Sequence, residues 1–492
     1  MRRLPYAVTA AALALLAPGQ GRAGGFYIYE HSAVATGMAD ARTALWDDPS
    51  SLFYNPAAIT ELDGFQLVLG DTLLLPEITY TPSGVAYNPD GSRVGGAGGD
   101  ICETAGSCHS ATSDSHVFYP AHVYFTAEIV PWLHAGLSWN NPFGLGTYWP
   151  KDWDGKFTAY QTYIETHFIE PTLALDIAAL LDMPDKYALS FAVGGTYVYG
   201  KAKLTQLVDA TEVYDLFHEA DDPLPIVEMA MEGDGHGGGY QFSFFAADKD
   251  WISFGASVRS NVVMDFSGTA HFTAPAAAFP GWGEIMRTLG LLPESTPGST
   301  TIELPWNMNF GVAFLGLPHF TFAADVYVAL WESYDQLQVR FDCEGSPAPN
   351  NCGGELNANA IYPKKWNTGV QIAFGAEYRP ITDLAIRLGY GFVSNPANPV
   401  YYDGMLPDGN RHLITVGLGY RAPTLFKVDV GYMLALWGDT KDNDVGSASP
   451  SFTNGQANGA YDTLTHVIAI SLGFSFDVNG MAPPPTLEPT EI

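Results

Sequence analysis

From Thr463 to Phe476 neighbouring side chains belong to different classes. The even positions are Leu464, His466, Ile468, Ile470, Leu472, Phe474 and Phe476; the odd ones are Thr463, Thr465, Val467, Ala469, Ser471, Gly473 and Ser475. An extended strand turns successive side chains to opposite faces. This segment therefore carries one large apolar face and one small or polar face. The pattern returns at 384–392, where Leu384, Ile386, Leu388, Tyr390 and Phe392 oppose Ala385, Arg387, Gly389 and Gly391. It returns at 426–436, where Phe426, Val428, Val430, Tyr432, Leu434 and Leu436 oppose Lys427, Asp429 and Gly431. In 366–378, Trp366, Val370, Ile372, Phe374 and Tyr378 oppose Asn367, Gln371, Gly375 and Glu377; in 304–314, Leu304, Trp306, Met308, Phe310, Val312 and Phe314 oppose Asn307, Asn309 and Gly311. A soluble sandwich also alternates, but it lays its apolar face on a core. Charges opposite aromatics over so many strands point to lipid outside and a polar interior, the pattern of a transmembrane antiparallel β-barrel.

The connections support this all-β fold class. Short ones lie at Val130–Trp132, Asp248–Asp250, Leu317–His319 and Ile381–Asp383. Long ones cover roughly 81–115, 141–157, 209–237, 274–300, 341–362, 395–410 and 438–461. Short turns at one rim and long loops at the other are the outer-membrane arrangement, and counting from Gly64 predicts about 14 strands. No run after the N-terminus reaches the ~20 apolar residues of a transmembrane helix. Two of the long loops carry helical character, 211–232 and 279–292; the second has apolar residues at helical spacing. Residues 24–63 alternate little and contain Gly37, Asp47-Asp48-Pro49 and Asn55-Pro56, which predicts a compact hatch inside the lumen. The barrel is expected over 64–476. Residues 477–492, with Pro483-Pro484-Pro485 and Pro489, read as a disordered tail.

Residues 1–23 read as a signal peptide: Arg2 and Arg3, an uncharged stretch Ala7–Ala17, and Gly21-Arg22-Ala23 as a cleavage site. Only 15% of the chain is charged, against about 25% in soluble domains. The net charge is −31, and removing the signal would take away Arg2, Arg3 and Arg22 and no acid. Such a chain repels nucleic acid and bare anionic membranes. Acidic outer loops beside divalent cations and lipopolysaccharide fit it, so the expected location is the outer membrane, in contact with its lipid and lipopolysaccharide, as a monomer.

Four cysteines form two local pairs, Cys102/Cys108 and Cys343/Cys352, each in a Gly-, Pro-, Asn- or Ser-rich stretch. In an exported chain these read as two small disulfide-closed loops. Zinc is the alternative reading, but beside His109 no ligand set is evident, and no metal or cofactor is expected. Gly-x-Ser-x-Gly and His-Glu-x-x-His are absent and the 12 histidines are scattered, so no enzyme is expected. Arg259, Arg387, Glu377, Asp325 and Asp429 have lumen parity and are expected to form a structural charge network. An open diffusion porin and a structural or adhesive barrel are the rival classes.

The chain resembles the long-chain fatty acid and hydrocarbon transporters of the outer membrane, the FadL/TodX family. The resemblance rests on Gly25-Phe26-Tyr27-Ile28-Tyr29-Glu30-His31-Ser32, Gly37-Met38-Ala39, Asp47-Asp48-Pro49-Ser50 and Tyr54-Asn55-Pro56-Ala57. It continues through Asn140–Thr147, Asp152–Gly155, Glu170–Ala174, Tyr199–Lys203 and Trp366–Arg387. It implies a barrel with an N-terminal hatch and energy-independent uptake of hydrophobic small molecules, often by a lateral opening beside the hatch. Long-chain fatty acids or related lipids are the implied substrates, with aromatic or other hydrocarbons as the alternative. Phe26, Tyr27 and Ile28 are expected to close the ligand pocket, and Asn55, Pro56 and Ala57 to support the bend of the hatch. Phe143, Trp149, Trp153 and Phe157 suit either an inlet groove or an interfacial girdle. The two basic positions near a substrate head align with Lys201 and Asn367, with Lys364 and Lys365 just before the latter. Counting from Tyr187 puts Lys201 on the lipid face unless a bulge at Gly194-Gly195 turns it inward. The family pattern ends on an aromatic; Phe476 fits, yet 477–492 follow it.

Overall fold

The computed structural model describes residues 24–82, 110–153, 155–156, 158–209, 226–273, 294–341, 361–422, 426–437 and 459–476. The signal segment 1–23, Phe157, the stretch 279–292 and the tail 477–492 lie outside them. So do all four cysteines, Cys102, Cys108, Cys343 and Cys352, and with them the two expected disulfides Cys102–Cys108 and Cys343–Cys352. Fourteen antiparallel strands close into a barrel. They are β1 (Phe65–Pro82), β2 (His122–Val130), β3 (Leu133–Asn140, resuming at Gly144–Tyr148), β4 (Gln161–Asp176), β5 (Tyr187–Asp209), β6 (Ile226–Asp248) and β7 (Ile252–Arg259, resuming at Val262–Thr273). There follow β8 (Ser295–Leu304, resuming at Asn307–Leu317), β9 (Phe320–Ala329), β10 (Gly369–Ile381), β11 (Leu384–Val393), β12 (Arg411–Arg421), β13 (Phe426–Trp437) and β14 (Gly459–Phe476). Each pairs with the next, and β14 returns to β1 with Phe476 opposite Phe65 and Gly459 opposite Pro82. Closure satisfies the ladder and leaves no edge, as a hydrocarbon environment requires. Among the described residues no helix is long and apolar enough to span a membrane.

The parity read from sequence holds along most strands. On β14, Ile468, Ile470 and Leu472 are exposed while Val467, Ala469 and Ser471 are buried. On β11, Arg387 is buried between exposed Ile386 and Leu388. Two expected outward residues turn inward. Leu304 is buried because Pro305 and Trp306 interrupt β8 and reverse its parity; β7 reverses at the same height, where Arg259 opposes Asn307 and Val262 opposes Leu304. Trp366 is buried because β10 begins only at Gly369. The expected helical loop 211–232 is strand from Ile226 onward: β5 and β6, 23 residues each, pair without interruption from Asp209↔Ile226 to Tyr187↔Asp248. Residues 211–225 of that expected loop, with Pro223 and Pro225, lie outside the described residues.

Residues 24–62 lie against the inner faces of the strands. The short helices Ala33–Thr36 and Ser51–Tyr54 and the 3-10 turn Pro56–Glu61 are almost wholly buried. Small polar wall side chains bond their backbone. Ser471 Oγ accepts from Ala33 N (3.0 Å), Thr415 Oγ1 donates to Gly37 O (3.0 Å), Ser253 Oγ donates to Ala44 O (2.6 Å) and Ser243 Oγ accepts from Ala57 N (2.8 Å). Asp325 Oδ2 accepts from Arg42 N (2.8 Å) and Thr43 N (2.6 Å). Inward glycines let the segment's backbone reach the wall. A Cβ on Gly255 would collide with Thr43 O, and one on Gly431 would stand 2.5 Å from Ala33 O.

Gly255→Val should therefore assemble a heat-modifiable barrel but unseat the segment around Thr43. Planar-bilayer recording should show a new ion conductance; a current equal to that of the unaltered protein would refute this contact as a determinant of seating.

Candidate functional site

The wall is discontinuous at one place in β3. Pro142 has no N–H to give a ladder. The β2–β3 pairing stops at Val123↔Trp139, and β3 resumes against β4 at Gly144↔Glu165. The N-terminal residues take the vacant edge. Ile28 N donates to Pro142 O at 2.8 Å, Gly144 N donates to Phe26 O at 3.1 Å, and Tyr27 forms a bridge with Phe143. Ile28, half-buried, would contact a Cβ on Gly144 at 3.0 Å.

Phe26 also walls a cavity of about 70 Å³ whose lining is nearly all hydrocarbon, including Leu145, Ile164, Leu204, Phe266 and Ile302. Its ring packs on Trp331 (4.6 Å between centroids), Tyr334 (5.9 Å), Trp366 (6.0 Å) and Phe143 (6.0 Å). Upstream, Gly25 N donates to Asp408 Oδ2 (2.6 Å), Arg411 Nη2 donates to Gly25 O (3.0 Å) and Trp331 Nε1 donates to Gly24 O (3.0 Å). Residues 24–28 are thus clamped at one end and paired to the wall at the other.

Beneath Phe26 lies a buried ion pair. Arg259 meets Glu170 through Nε (3.0 Å) and Nη2 (3.2 Å), and its Nη1 donates to Tyr27 OH at 3.2 Å. Burial pushes the Tyr27 phenol up to about 12 despite Arg259, so it stays protonated. Sequence reasoning misses Glu170 as a charge partner, although its even position on β4 faces it inward with Phe168 and Thr172.

A second group joins the segment to the far wall. Arg42, Arg379, Arg387 and Lys427 interleave with Asp47, Asp48, Glu377 and Asp429. Arg387 bonds Glu377 and Asp429, each at 2.7 Å, as its parity predicts. Lys427 Nζ reaches Asp48 (3.1 Å), Asp429 (3.3 Å) and Asp47 (3.5 Å), and Arg42 pairs with Asp47. Burial alone would raise the Asp47 carboxyl, but Arg42, Lys427, Arg387 and Arg379 hold it well below the usual carboxylate range. The contribution of this latch is therefore complete above the ordinary Asp range near pH ~4 and is lost as pH falls through the depressed folded value. Asp325 and Arg259 stand apart from the group, each with its own partners.

The other expected site residues divide. Asn55 Nδ2 donates to Thr43 O (2.8 Å), and its Oδ1 accepts from Ala57 N (3.2 Å) beside Pro56. Phe143 meets Tyr27 at 4.7 Å. Trp149 and Trp153 are 3% and 2% exposed, stacked at 4.4 Å, and their indole N–H groups donate to Gly404 O and Ala159 O. Neither belongs to an interfacial girdle. Lys201 is exposed; the β5–β6 register runs straight through Gly194 and Gly195, so the bulge that would turn it inward is absent. Asn367 spends its backbone and side-chain N–H groups on Pro396 O. The buried cation nearby is Lys364, paired with Asp403 at 2.7 Å.

The sequence profile of the family described as outer membrane protein transport protein (OMPP1/FadL/TodX) matches residues 14–477. A putative outer membrane protein, NMB0088, of Neisseria meningitidis is 24% identical over 457 residues, covering 88% of this chain and 92% of that protein. The long-chain fatty acid transport protein of Escherichia coli is 22% identical over 442 residues, covering 86% and 89%. Among solved structures, a FadL homologue of Pseudomonas aeruginosa superposes with a TM-score of 0.74 at 17% identity, covering 92% of this chain and all of that one. The toluene transporter TodX of P. putida superposes at 0.65 and 14% identity, covering 93% and 99%. At these identities the superpositions speak for the fold.

Asp47→Asn leaves Arg42 and Lys427 short of a counter-charge. Breaking a buried pair costs about 3–5 kcal/mol, so limited proteolysis within 24–63 should accelerate while heat-modifiability persists. Unchanged cleavage would show that the latch does not hold the segment.

Proposed function

The chain belongs to the outer membrane protein transport family (OMPP1/FadL/TodX), and from that premise we propose that it takes up hydrophobic small molecules passively, with Phe26 to Ile28 as the gate. The family places it in the outer membrane as a transporter of hydrophobic substrates. The carrying observation is that three consecutive residues do two jobs: Phe26 walls the cavity, and Phe26 and Ile28 supply the hydrogen bonds for the interrupted edge at Pro142–Gly144. Ligand and terminus then compete for the same apolar surface. A solute entering the cavity displaces Phe26, and with it the pairing that fills the gap in the wall. Burial of hydrocarbon at about 25 cal/mol per Å² supplies the driving force, and no energy source is called for.

Between the two substrate classes we favour a neutral hydrocarbon over a fatty acid. Asp403 accepts from Lys364 with Oδ2 and from Met405 N with Oδ1 (3.1 Å). Lys203, which lines the cavity, is paired with Glu232 at 2.6 Å, and Asp403, held beside the lining residue Met405, neutralises Lys364. A carboxylate has to displace Asp403 to use it.

Two measurements test these readings. Removing the Phe26 ring forfeits about 1.5–3 kcal/mol of burial, so Phe26→Ala should shift the closed state about tenfold or more, raising ion leak and weakening retention of hydrophobic solute together. Deleting residues 24–28 should do the same more strongly. If both leave conductance and uptake unchanged, the terminus is an anchor only. For the substrate, Asp403→Asn should free Lys364 and raise retention of a radiolabelled fatty acid relative to an uncharged hydrocarbon; an unaltered ratio would remove the basis for preferring the neutral class.

A further inference from the structure

On the outer surface a motif repeats that transport does not use. Tyr197 OH lies 2.7 Å from His236 Nδ1, Tyr390 OH 2.9 Å from His412 Nδ1, and Tyr432 OH 2.8 Å from His466 Nδ1. In each pair the tyrosine is on an ascending strand and the histidine on the descending neighbour: β5/β6, β11/β12 and β13/β14. All three histidines are exposed on the face that also carries the lipid-facing side chains.

The three lie at one height. Below His466 on its face come Ile468, Ile470 and Leu472; below His412, Ile414, Val416 and Leu418; below His236, after Gly238, Tyr240 and Phe242, all exposed. Each histidine stands about 9–12 residues above the short-turn end of its strand, which at ~3.3 Å per residue and the usual tilt is about 25 Å, the height of the apolar band of such barrels. Above them the outward face turns polar, directly at Asp234 on β6 and beyond Leu464 at Asp462 on β14. The pairs therefore mark the level where acyl chains give way to lipid head groups.

Their chemistry suits phosphate. A phenol donates better than it accepts, so the tyrosine O–H points to Nδ1 and fixes the proton on Nε2. Each ring then offers one N–H donor at head-group height. At the first pair a cation joins it: Lys201, exposed, stands opposite Asp234, two residues above Tyr199 opposite His236. His167 sits at the same height on β4, stacked between Trp139 and Tyr199, but Asn141 meets its Nδ1 at 2.9 Å and Glu165 lies 3.4 Å from its Nε2. It serves as the built-in exception.

We propose that Tyr197–His236, Tyr390–His412 and Tyr432–His466, with Lys201 at the first, form a girdle that binds the phosphate groups of outer-leaflet glycolipid. The proposal rests on outer-membrane placement and is independent of what the lumen carries. The test is native mass spectrometry of the full chain in detergent, titrated with diphosphoryl lipid A, with the same lipid dephosphorylated, and with inorganic phosphate as competitor. The unaltered protein should retain the phosphorylated lipid at least several-fold better than the dephosphorylated one. The triple variant His236→Ala, His412→Ala, His466→Ala should lose that preference. The triple variant Tyr197→Phe, Tyr390→Phe, Tyr432→Phe keeps the aromatic surface and should lose most of it. Heat-modifiable mobility and hydrophobic uptake should remain intact in both. Equal binding of the two lipids, retention of the preference in the histidine variant, or complete displacement by inorganic phosphate would each overturn the proposal, leaving an aromatic belt or an adventitious anion site.

Discussion

In hydrocarbon a peptide N–H or C=O has no water to turn to, so every interruption of the ladder must find its partners within the protein. The barrel meets this almost everywhere by strand pairing, with β14 closing on β1 over 18 residues. At Pro142 it cannot. The groups left over are met by Phe26 and Ile28, which arrive from the lumen. A proline in one strand thus leaves groups that residues 26–28 meet, and that position brings Phe26 into the cavity wall. The breaks at Ser260–Asn261 and Pro305–Trp306 are handled differently. They sit opposite one another, so both strands reverse parity together and the pairing continues on either side.

The lumen combines an apolar cluster, in which Leu52, Phe53 and Ile59 meet the wall, with directional polar contacts. Wall serines, threonines and one aspartate bond the backbone of residues 33–57, and an interleaved set of four bases and four acids ties Arg42, Asp47 and Asp48 to β10, β11 and β13. Such contacts are directional and lose strength quickly when displaced, whereas an apolar interface slides. They give the segment one seat. The cavity has a lining that is nearly all hydrocarbon, and on the proposed mechanism a ligand exchanges there with Phe26.

Much of this is legible in sequence because alternation reports face directly. Parity assigns Arg387, Glu377 and Asp429 to the lumen, and the geometry agrees. What parity cannot report is a change of phase. It places Leu304 outside because nothing in its neighbours reveals that Pro305 resets the count. Residues 226–232 look helical from composition, yet they extend a ladder whose partner, β5, lies outside any local window. The glycines at 375, 389, 417 and 431 read simply as the small face of a strand; their use as seats for the backbone of 33–39 depends on a segment hundreds of residues away. Trp149 and Trp153 carry no mark in sequence of the 404–405 stretch that covers them.

Magnitudes decide which part of the N-terminal segment is free to move on the proposed mechanism. Releasing Phe26 to Ile28 gives up two backbone hydrogen bonds and the Arg259–Tyr27 bond, about 1 kcal/mol each, and the burial of two aromatic rings, Phe26 and Tyr27, about 1.5–3 kcal/mol each. A ligand that fills the same apolar surface returns most of the second term. Releasing the rest of the segment would break the wall contacts of Ala33, Gly37, Thr43, Ala44 and Ala57 and expose Asp47 and Asp48 apart from Lys427. No hydrophobic solute can return those terms, since it offers neither donors nor charge. The difference confines ligand-driven motion to the first few described residues, and it leaves the latch of Arg42, Asp47 and Asp48 as the fixed point against which they move.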